Sequence, residues 1–225
     1  TAKAVVAVSE PTAEQVRRQF DRDVVVAPNA PSEVFYRSGH VSAEMLDGFD
    51  VRAGAFLLAV GSLDPRKNLA SLAEAYASLP SATRAAIPLI VVGGSAAIYR
   101  DAGVSWPDGM RSVGYVSDDE LAALYAAARA VVFPSLAEGF GLPLVEAAAA
   151  GAVGLVISDI PVFRWICGDG AEYVDPTSVT SIAHGLQRAV DEGTPAITID
   201  LERFSWDASA TVVAEAAVRA AASVR

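Results

Sequence analysis

Residues 130–151 read Ala130-Val-Val-Phe-Pro-Ser-Leu-Ala-Glu138-Gly-Phe-Gly-Leu-Pro-Leu-Val-Glu146-Ala-Ala-Ala-Ala-Gly151. The first four residues are small, β-branched or aromatic and are followed by a Pro-Ser break, so they predict a short buried strand. The alanine-rich segment after the second loop glycine has proline in its first turn, which predicts a helix from Leu142 to Ala150 that stops at Gly151. The loop between them has two glycines and leads into a helix N-terminus, where free N–H groups and partial positive charge favour an anion, most simply a phosphate.

Two glutamates, Glu138 and Glu146, flank this loop at a spacing of eight positions. The simplest interpretation is an acidic helix start stabilised by the helix dipole, worth about 0.3–1 kcal/mol per acid. That interpretation leaves the Gly-Phe-Gly-Leu-Pro segment between the two acids unexplained. A ligand that carries phosphate and hydroxyl groups side by side would use both the backbone amides and the carboxylates.

This string resembles the signature of family 4 of the retaining glycosyltransferases, in which Glu-x7-Glu encloses a Gly-Phe-Gly-Leu-Pro segment. The resemblance covers nearly the entire chain. Members of that family are two-domain GT-B enzymes that use nucleotide-sugar donors. The resemblance therefore implies an α/β fold with a Rossmann-like parallel sheet and helices on both faces, the C-terminal half of a GT-B fold.

The composition limits the possible partners of the chain. Its 225 residues are 52% hydrophobic, enough for an ample core, and carry a formal net charge of −10. Such an acidic chain lacks the basic face that nucleic acid or anionic lipid requires, so we predict neither as a partner of this part. Cys167 is the single cysteine, which excludes an internal disulfide and a cysteine metal cluster. The longest apolar run, Ala147 to Ile157, is too short to span a bilayer.

The chain in order predicts strands that alternate with helices, which is typical of a parallel sheet covered on both faces. Ligands of such sheets bind beyond the carboxyl ends of the strands. The predicted strands are Ala4–Val8, Val24–Val26, Phe56–Val60, Leu89–Val92, Met110–Val113, Ala130–Phe133, Val153–Ile157 and Ala171–Val174. The predicted helices are Ala13–Phe20, Ser42–Leu46, Leu69–Leu79, Ala96–Asp101, Leu121–Ala128, Leu142–Ala150, Thr177–Val190 and Trp206–Ser223.

The resemblance also implies a division of the chain. Residues 1–28 are expected to be the tail of the acceptor-side domain and the crossover from it, ending at a Pro-Asn-Ala turn where the family usually has Pro-Asn-Gly. Residues 29–225 are expected to form the nucleotide-sugar-binding domain. Most of the acceptor-side domain would then lie upstream of Thr1, and this fragment alone would be inactive. With no visible secretory signal we expect a cytoplasmic location, with any membrane association supplied by the missing domain.

A second candidate segment, Asp64-Pro-Arg-Lys-Asn68, is one of the few places where two cations adjoin. In an acidic chain this segment is the natural seat of a diphosphate, with Lys67 as a point charge and Arg66 as a planar fork. Taken alone, the segment fits a solvated basic turn as well as it fits a phosphate site. It resembles the Gly-Thr-Leu-Glu-Pro-Arg-Lys-Asn element of family members that transfer mannose or similar sugars. Other branches have arginine directly after the glycine, where this chain has Ser62, so Arg66 becomes the second cation.

The resemblance assigns roles to individual residues. Glu138 would bind hydroxyls of the donor sugar, Glu146 would accept both ribose hydroxyls, and the backbone of Phe140 to Leu142 would meet the sugar and distal phosphate. Tyr115 is alternatively a core residue. The implied catalytic residues are Glu138, Lys67 and Arg66. The implied donor-binding residues are Gly61, Ser62, Arg66, Lys67, Tyr115, Val116, Glu138, Gly139, Phe140, Gly141, Leu142 and Glu146.

The resulting expectation is transfer of a hexose, with GDP-mannose favoured over UDP-sugars, to a sugar or glycolipid acceptor bound mainly by the missing domain. No metal and no other cofactor is expected, because no His or carboxylate spacing suggests a metal site. The alternatives are a GT-B sugar-nucleotide epimerase, a phosphorylase and a non-catalytic nucleotide-sugar-binding module. Two departures from the family pattern, at Gly154 and Trp165, keep the non-catalytic alternative open.

Overall fold

The computed structural model describes residues 3–37, 42–61, 64–94 and 106–222. Its main sheet has six strands in the order β5-β4-β3-β6-β7-β8, and every neighbouring pair is parallel. These strands are β3 (Leu57–Val60), β4 (Leu89–Val92), β5 (Met110–Gly114), β6 (Ala130–Phe133), β7 (Leu155–Ser158) and β8 (Glu172–Val174). A separate parallel pair is formed by β1 (Val6–Ala7) and β2 (Val25–Val26).

The helices of the described part alternate with these strands. They are α1 (Glu10–Phe20), α2 (Glu33–Tyr36), α3 (Ala43–Asp47), α4 (Leu69–Ala77), α5 (Ser81–Ala86), α6 (Asp118–Ala127), α7 (Leu142–Ala149), α8 (Pro161–Cys167), α9 (Val179–Asp191) and α10 (Trp206–Ala222). The short helices α2, α5 and α8 were not predicted, because each is shorter than the two turns that make an apolar period visible. The predicted helix Ala96–Asp101 lies outside the described residues.

Both faces of the sheet are buried, which explains why its strands are apolar throughout. Along β3, Leu58 packs into one cluster with residues of α6, α7 and α8, whereas Leu57 and Ala59 pack into a second cluster with α4 and α9. This alternation follows from side chains that point to opposite faces at successive positions of a strand. The prediction of a parallel sheet with helices on both faces is confirmed.

The N-terminal residues form a small unit beside the main sheet. Helix α1 is capped by Ser9, whose hydroxyl accepts a hydrogen bond from the Thr12 N–H at 3.3 Å, and the helix packs against α8. Helix α10 packs against β2, and the Ser209 hydroxyl donates to the Pro28 carbonyl at 2.6 Å. The boundary after residue 28 stays a prediction. Over the described ranges, no helix has both the length and the apolarity of a membrane-spanning segment.

Candidate donor-binding site at the strand ends

The carboxyl ends of three neighbouring strands meet through glycines. The Gly93 N–H, after β4, donates to the Gly114 carbonyl at the end of β5 at 2.8 Å. A Cβ atom on Gly93 would lie only 2.6 Å from the carbonyl oxygen of Gly61, which follows β3, and Gly93 has a φ of +104°. Only glycine fits that combination of close approach and positive φ. The result is a closely packed floor of backbone at the strand ends, in which Gly93 is buried and Gly61 and Gly114 are partly exposed.

An ion pair joins the two segments that the sequence singles out. We call residues 64–68 the cation loop and residues 134–141 the glycine loop. The Lys67 ammonium lies 2.7 Å from Oε1 of Glu138, across 71 positions of sequence. The two side chains are only 21% and 12% exposed. The aliphatic part of the Lys67 side chain packs on Gly61, with its Cβ and Cγ 3.5 Å from where a Cβ on Gly61 would stand. The ammonium is therefore directed along the floor and not into solvent.

Backbone contacts hold the cation loop and the glycine loop together. The Leu136 N–H donates to the Arg66 carbonyl at 2.8 Å. The buried Asn68 amide donates to the carbonyls of Pro134 at 3.0 Å and Pro176 at 2.8 Å, so it ties together the ends of β3, β6 and β8. Asn68 has a φ of +59°, a left-handed conformation that asparagine tolerates better than most residues. No role for Asn68 is predicted from the sequence alone, and the tolerance of asparagine for a positive φ directly before a helix is the signal that could have indicated one.

Arg66 and Lys67 are adjacent but differently engaged. The Arg66 guanidinium pairs with Asp64, with Nε 2.9 Å from Oδ2, and its side chain is 59% exposed. The hydrogen bonds from Arg66 lower the pKa of the Asp64 carboxyl below its ordinary value. Lys67 is thus the cation directed at Glu138, whereas Arg66 faces solvent with its charge largely balanced. Ser62 lies outside the described residues.

The glycine loop is supported from beneath by aromatic rings. The Phe140 ring is buried and meets the rings of Trp165 and Phe204 edge-on, with centroids 6.2 and 5.5 Å away. The side chain of Phe140 is therefore part of the core, and only its backbone is available to a ligand. Trp165, one of the departures from the family pattern, packs directly under the glycine loop.

Gly141 is the most constrained residue of the glycine loop. Its φ is +96°, and a Cβ atom would lie 2.9 Å from Cε1 of the buried Phe163. Gly141→Ala should therefore lower the free energy of unfolding by about 2–4 kcal/mol, since strain from a positive φ adds to overpacking. Gly151→Ala is the matched control, because Gly151 has a φ of +83° with nothing near its Cβ position. Urea unfolding should show a clearly smaller loss for the control, and equal losses would contradict the role of the Phe163 contact.

Glu146 lies inside α7 and is partly buried where this helix packs against α6. The buried Tyr125 hydroxyl donates toward its Oε2 at a long 3.5 Å. Burial, and secondarily the negative charge of Asp118, raise the pKa of Glu146 to about 7, while the Tyr125 hydrogen bond opposes the increase. A carboxylate in this setting gains by accepting hydrogen bonds from neutral hydroxyl groups.

Tyr115 and Val116 follow β5 at the same edge of the sheet. Tyr115 is 82% exposed, so the alternative that it belongs to the core is wrong. Val116 is partly buried against the cluster that includes α6 and α7. Among the described residues, no group of three or more His, Cys, Asp or Glu side chains lies close enough to hold a metal ion. That no metal takes part stays a prediction.

A family model described as glycosyl transferases group 1 matches residues 52–204. The chain belongs to the glycosyl transferases group 1 family. The matched range contains the cation loop, the glycine loop, Glu146 and the β5 end. The strand ends that form the floor of the site are therefore part of the family's shared domain.

The chain is also similar to individual proteins, among them two relatives and one solved structure. The O-antigen chain mannosyltransferase B of Escherichia coli is 33% identical over 231 aligned residues, which cover 92% of this chain and 58% of the relative. The serotype-specific mannosyltransferase WbdA of Escherichia coli is 30% identical over 206 residues, covering 85% of this chain and 25% of the relative. Sucrose-phosphate synthase from Thermosynechococcus elongatus superimposes with a TM-score of 0.71 at 23% identity, covering 99% of this chain and 59% of that protein. The chain thus spans less than two thirds of the length of each.

Proposed function

We propose that this chain is the donor-binding part of a retaining glycosyltransferase that transfers mannose from GDP-mannose to an acceptor. The Lys67–Glu138 ion pair carries the proposal, because it joins a cation suited to phosphate with a carboxylate suited to sugar hydroxyls at the edge of the glycine loop. The names of the two relatives above favour mannose as the sugar. The retaining course and the guanine base rest on the resemblance of the motifs.

The proposed roles follow from the chemistry of each group. In the proposed retaining transfer, the bond between the sugar C1 and the diphosphate oxygen breaks, the acceptor hydroxyl oxygen forms a new bond to C1 on the same face, and its proton passes to the departing diphosphate. Negative charge then grows on the departing diphosphate, where the Lys67 ammonium and the N–H groups at the start of α7 would stabilise it. Glu138 would hold the sugar hydroxyls, and Arg66 would add positive charge at the rim. No metal ion is needed in this scheme.

The nucleoside would extend away from the glycine loop toward the β5 end. Glu146 would accept the two ribose hydroxyls, and the exposed Tyr115 and the backbone at Val116 would face the base. Glu146 lies on α7, which begins where the glycine loop ends, and its Oε2 is 3.5 Å from the hydroxyl of Tyr125 on α6, the helix that follows Tyr115 and Val116 in sequence. That order of phosphate, ribose and base along the strand ends is what a nucleoside diphosphate requires.

The acceptor is proposed to bind mainly to a domain outside this chain, of which residues 1–28 would be the tail. The 225-residue chain should therefore bind GDP with a Kd between about 10 μM and 1 mM, more weakly than a complete cleft. It should show no transfer to an acceptor, since bringing donor and acceptor together supplies much of the rate, and slow hydrolysis of the donor at most.

Isothermal titration with GDP, UDP and GDP-mannose tests the proposal, with a parallel series in EDTA. We expect GDP and GDP-mannose to bind within the stated range and EDTA to change neither Kd more than about twofold. Tighter binding of UDP would overturn the assignment of the base. Transfer to an acceptor at ordinary enzymatic turnover would overturn the division of the enzyme between this chain and a missing domain.

A further inference from the structure

Two hydroxyl groups of the N-terminal segment hold one carbonyl of the glycine loop. The Ser9 Oγ donates to the Gly139 carbonyl at 2.6 Å, and the Thr12 Oγ1 donates to the same oxygen at 2.9 Å. Ser9 is fully buried, and it reaches Gly139 across 130 positions of sequence. We call this arrangement the hydroxyl clasp, and it consists of Ser9, Thr12 and the Gly139 carbonyl.

Helix capping alone does not explain the clasp. As the N-cap of α1, Ser9 needs only to accept the Thr12 N–H, which it does at 3.3 Å. The Ser9 Oγ also lies 2.9 Å from the Thr12 Oγ1, so its single proton is shared between the Gly139 carbonyl at 2.6 Å and the Thr12 hydroxyl, which itself donates to that carbonyl. A carbonyl oxygen has two lone pairs, so two donors satisfy its hydrogen-bonding capacity. The two hydroxyls and the Gly139 carbonyl thus form one hydrogen-bonded cluster that fixes a single peptide group of the glycine loop.

The clasp determines the orientation of the peptide between Gly139 and Phe140. In a planar trans peptide the C=O and the following N–H point in opposite directions, so a carbonyl held toward α1 directs the Phe140 N–H away from α1. On the other side of that peptide, the Phe140 ring is held by Trp165 and Phe204. A glycine peptide that would otherwise rotate easily is held at both ends.

We propose that Ser9 and Thr12 are positioning residues of the donor site, acting through the Gly139 peptide. They keep the Phe140 N–H and the adjacent Glu138 carboxylate in the arrangement that receives the donor sugar and its phosphate. This inference rests on the proposed function. It extends the site to α1, which lies in the segment assigned to the acceptor side, so a shift of α1 would be transmitted directly to the glycine loop.

Thr12 offers the cleaner test, because its hydroxyl is removed without loss of the cap. Thr12→Val should weaken GDP-mannose binding by about 3–10-fold, the range for one neutral hydrogen bond. Thr12→Ser retains the hydroxyl and should stay within about twofold of the unsubstituted chain. Guanosine has neither the diphosphate nor the mannose of GDP-mannose, so both variants should bind it with the affinity of the unsubstituted chain. Thermal melts establish that the variants are folded at the titration temperature.

Ser9→Ala is compared with Ser42→Ala, since Ser42 caps α3 by accepting the Met45 N–H at 3.2 Å and, within the described part of the chain, makes no bond to the glycine loop. Both variants lose a helix cap, but only Ser9→Ala should weaken the binding of GDP-mannose. Equal GDP-mannose affinities for Thr12→Val and Thr12→Ser would overturn the positioning role alone. If the unsubstituted chain binds neither GDP-mannose nor a UDP-sugar, the proposed function fails and the positioning role fails with it.

Discussion

Lys67→Met should weaken GDP binding by about 10- to 150-fold, or about 1.5–3 kcal/mol, the range for a charge-assisted hydrogen bond. Methionine retains most of the aliphatic stem that packs on Gly61, so the loss reports the ammonium group and not the packing. Guanosine, which has no phosphate, should bind within about twofold of its original affinity. Titration calorimetry of both ligands measures the difference directly.

The matched control is Arg66→Met, which removes the same charge from the neighbouring position. Because the Arg66 guanidinium is exposed and already paired with Asp64, we expect its removal to weaken GDP by less than about threefold. A general electrostatic attraction by the cation loop would instead make the two variants equivalent. Equal losses of GDP and guanosine affinity in Lys67→Met would show that the residue acts through folding and not through phosphate.

Glu146→Gln should have opposite effects on ligand binding and on stability. The carboxylate is proposed to accept both ribose hydroxyls, so its loss should weaken GDP by about 10-fold or more while leaving 2′,3′-dideoxy-GDP nearly unchanged. Calorimetry with the two nucleotides separates the ribose contact from every other contribution. Comparable losses for both nucleotides would remove Glu146 from the ribose site.

The raised pKa of Glu146 predicts the accompanying change in stability. Well below pH 4.5 the carboxyl is protonated in both the folded and the unfolded chain, so it does not change the free energy of unfolding. As the pH rises toward the folded pKa of about 7, only the unfolded chain gains by ionising, and the folded state loses stability. Glu146→Gln should therefore stabilise the unliganded protein by about 1–3 kcal/mol at pH 8 and by almost nothing at pH 4. Glu215→Gln, at an exposed site, should change neither the stability at pH 8 nor the affinity for GDP.

The same pKa gives a pH dependence of binding in the unsubstituted chain. If ribose requires the carboxylate, the affinity for GDP-mannose, which has no phosphate proton that titrates at about pH 6, should be full above about pH 8 and fall as the pH drops through 7, by up to about tenfold per pH unit. The Glu146→Gln variant should lose this dependence while its binding remains weak at every pH. A pH profile that persists in the variant would assign the titration to another group.

The fold, and the meeting of the two candidate loops at one edge of the sheet, follow from the sequence because both depend on local patterns. Strands such as Leu89–Val92 and Ala130–Phe133 are continuous apolar runs, and the structure has both with the predicted bounds. Parallel strands separated by helices bring their carboxyl ends together whatever the loop sequences are. For that reason the cation loop and the glycine loop share one edge of the sheet, whereas the ion pair between Lys67 and Glu138 was not predicted.

The long-range polar contacts could not be predicted in the same way. Nothing local distinguishes Ser9, a conventional helix cap, from a residue that also holds Gly139, since the second role depends on the packing of α1 against α8. The pairing of Arg66 with Asp64, two positions earlier, is a matter of side-chain orientation that charge spacing does not determine. The short helix α8, which places Trp165 under Phe140, is likewise set by tertiary packing.

The position of GDP-mannose bound to crystals of the 225-residue chain tests the donor-site assignment most directly. We predict diphosphate oxygens within about 2.7–3.2 Å of the Lys67 ammonium, the ribose hydroxyls on Glu146 and the mannose hydroxyls on Glu138. A nucleotide bound at the opposite end of the sheet, in the cavity lined by Arg52, Arg84 and Arg111, would contradict it.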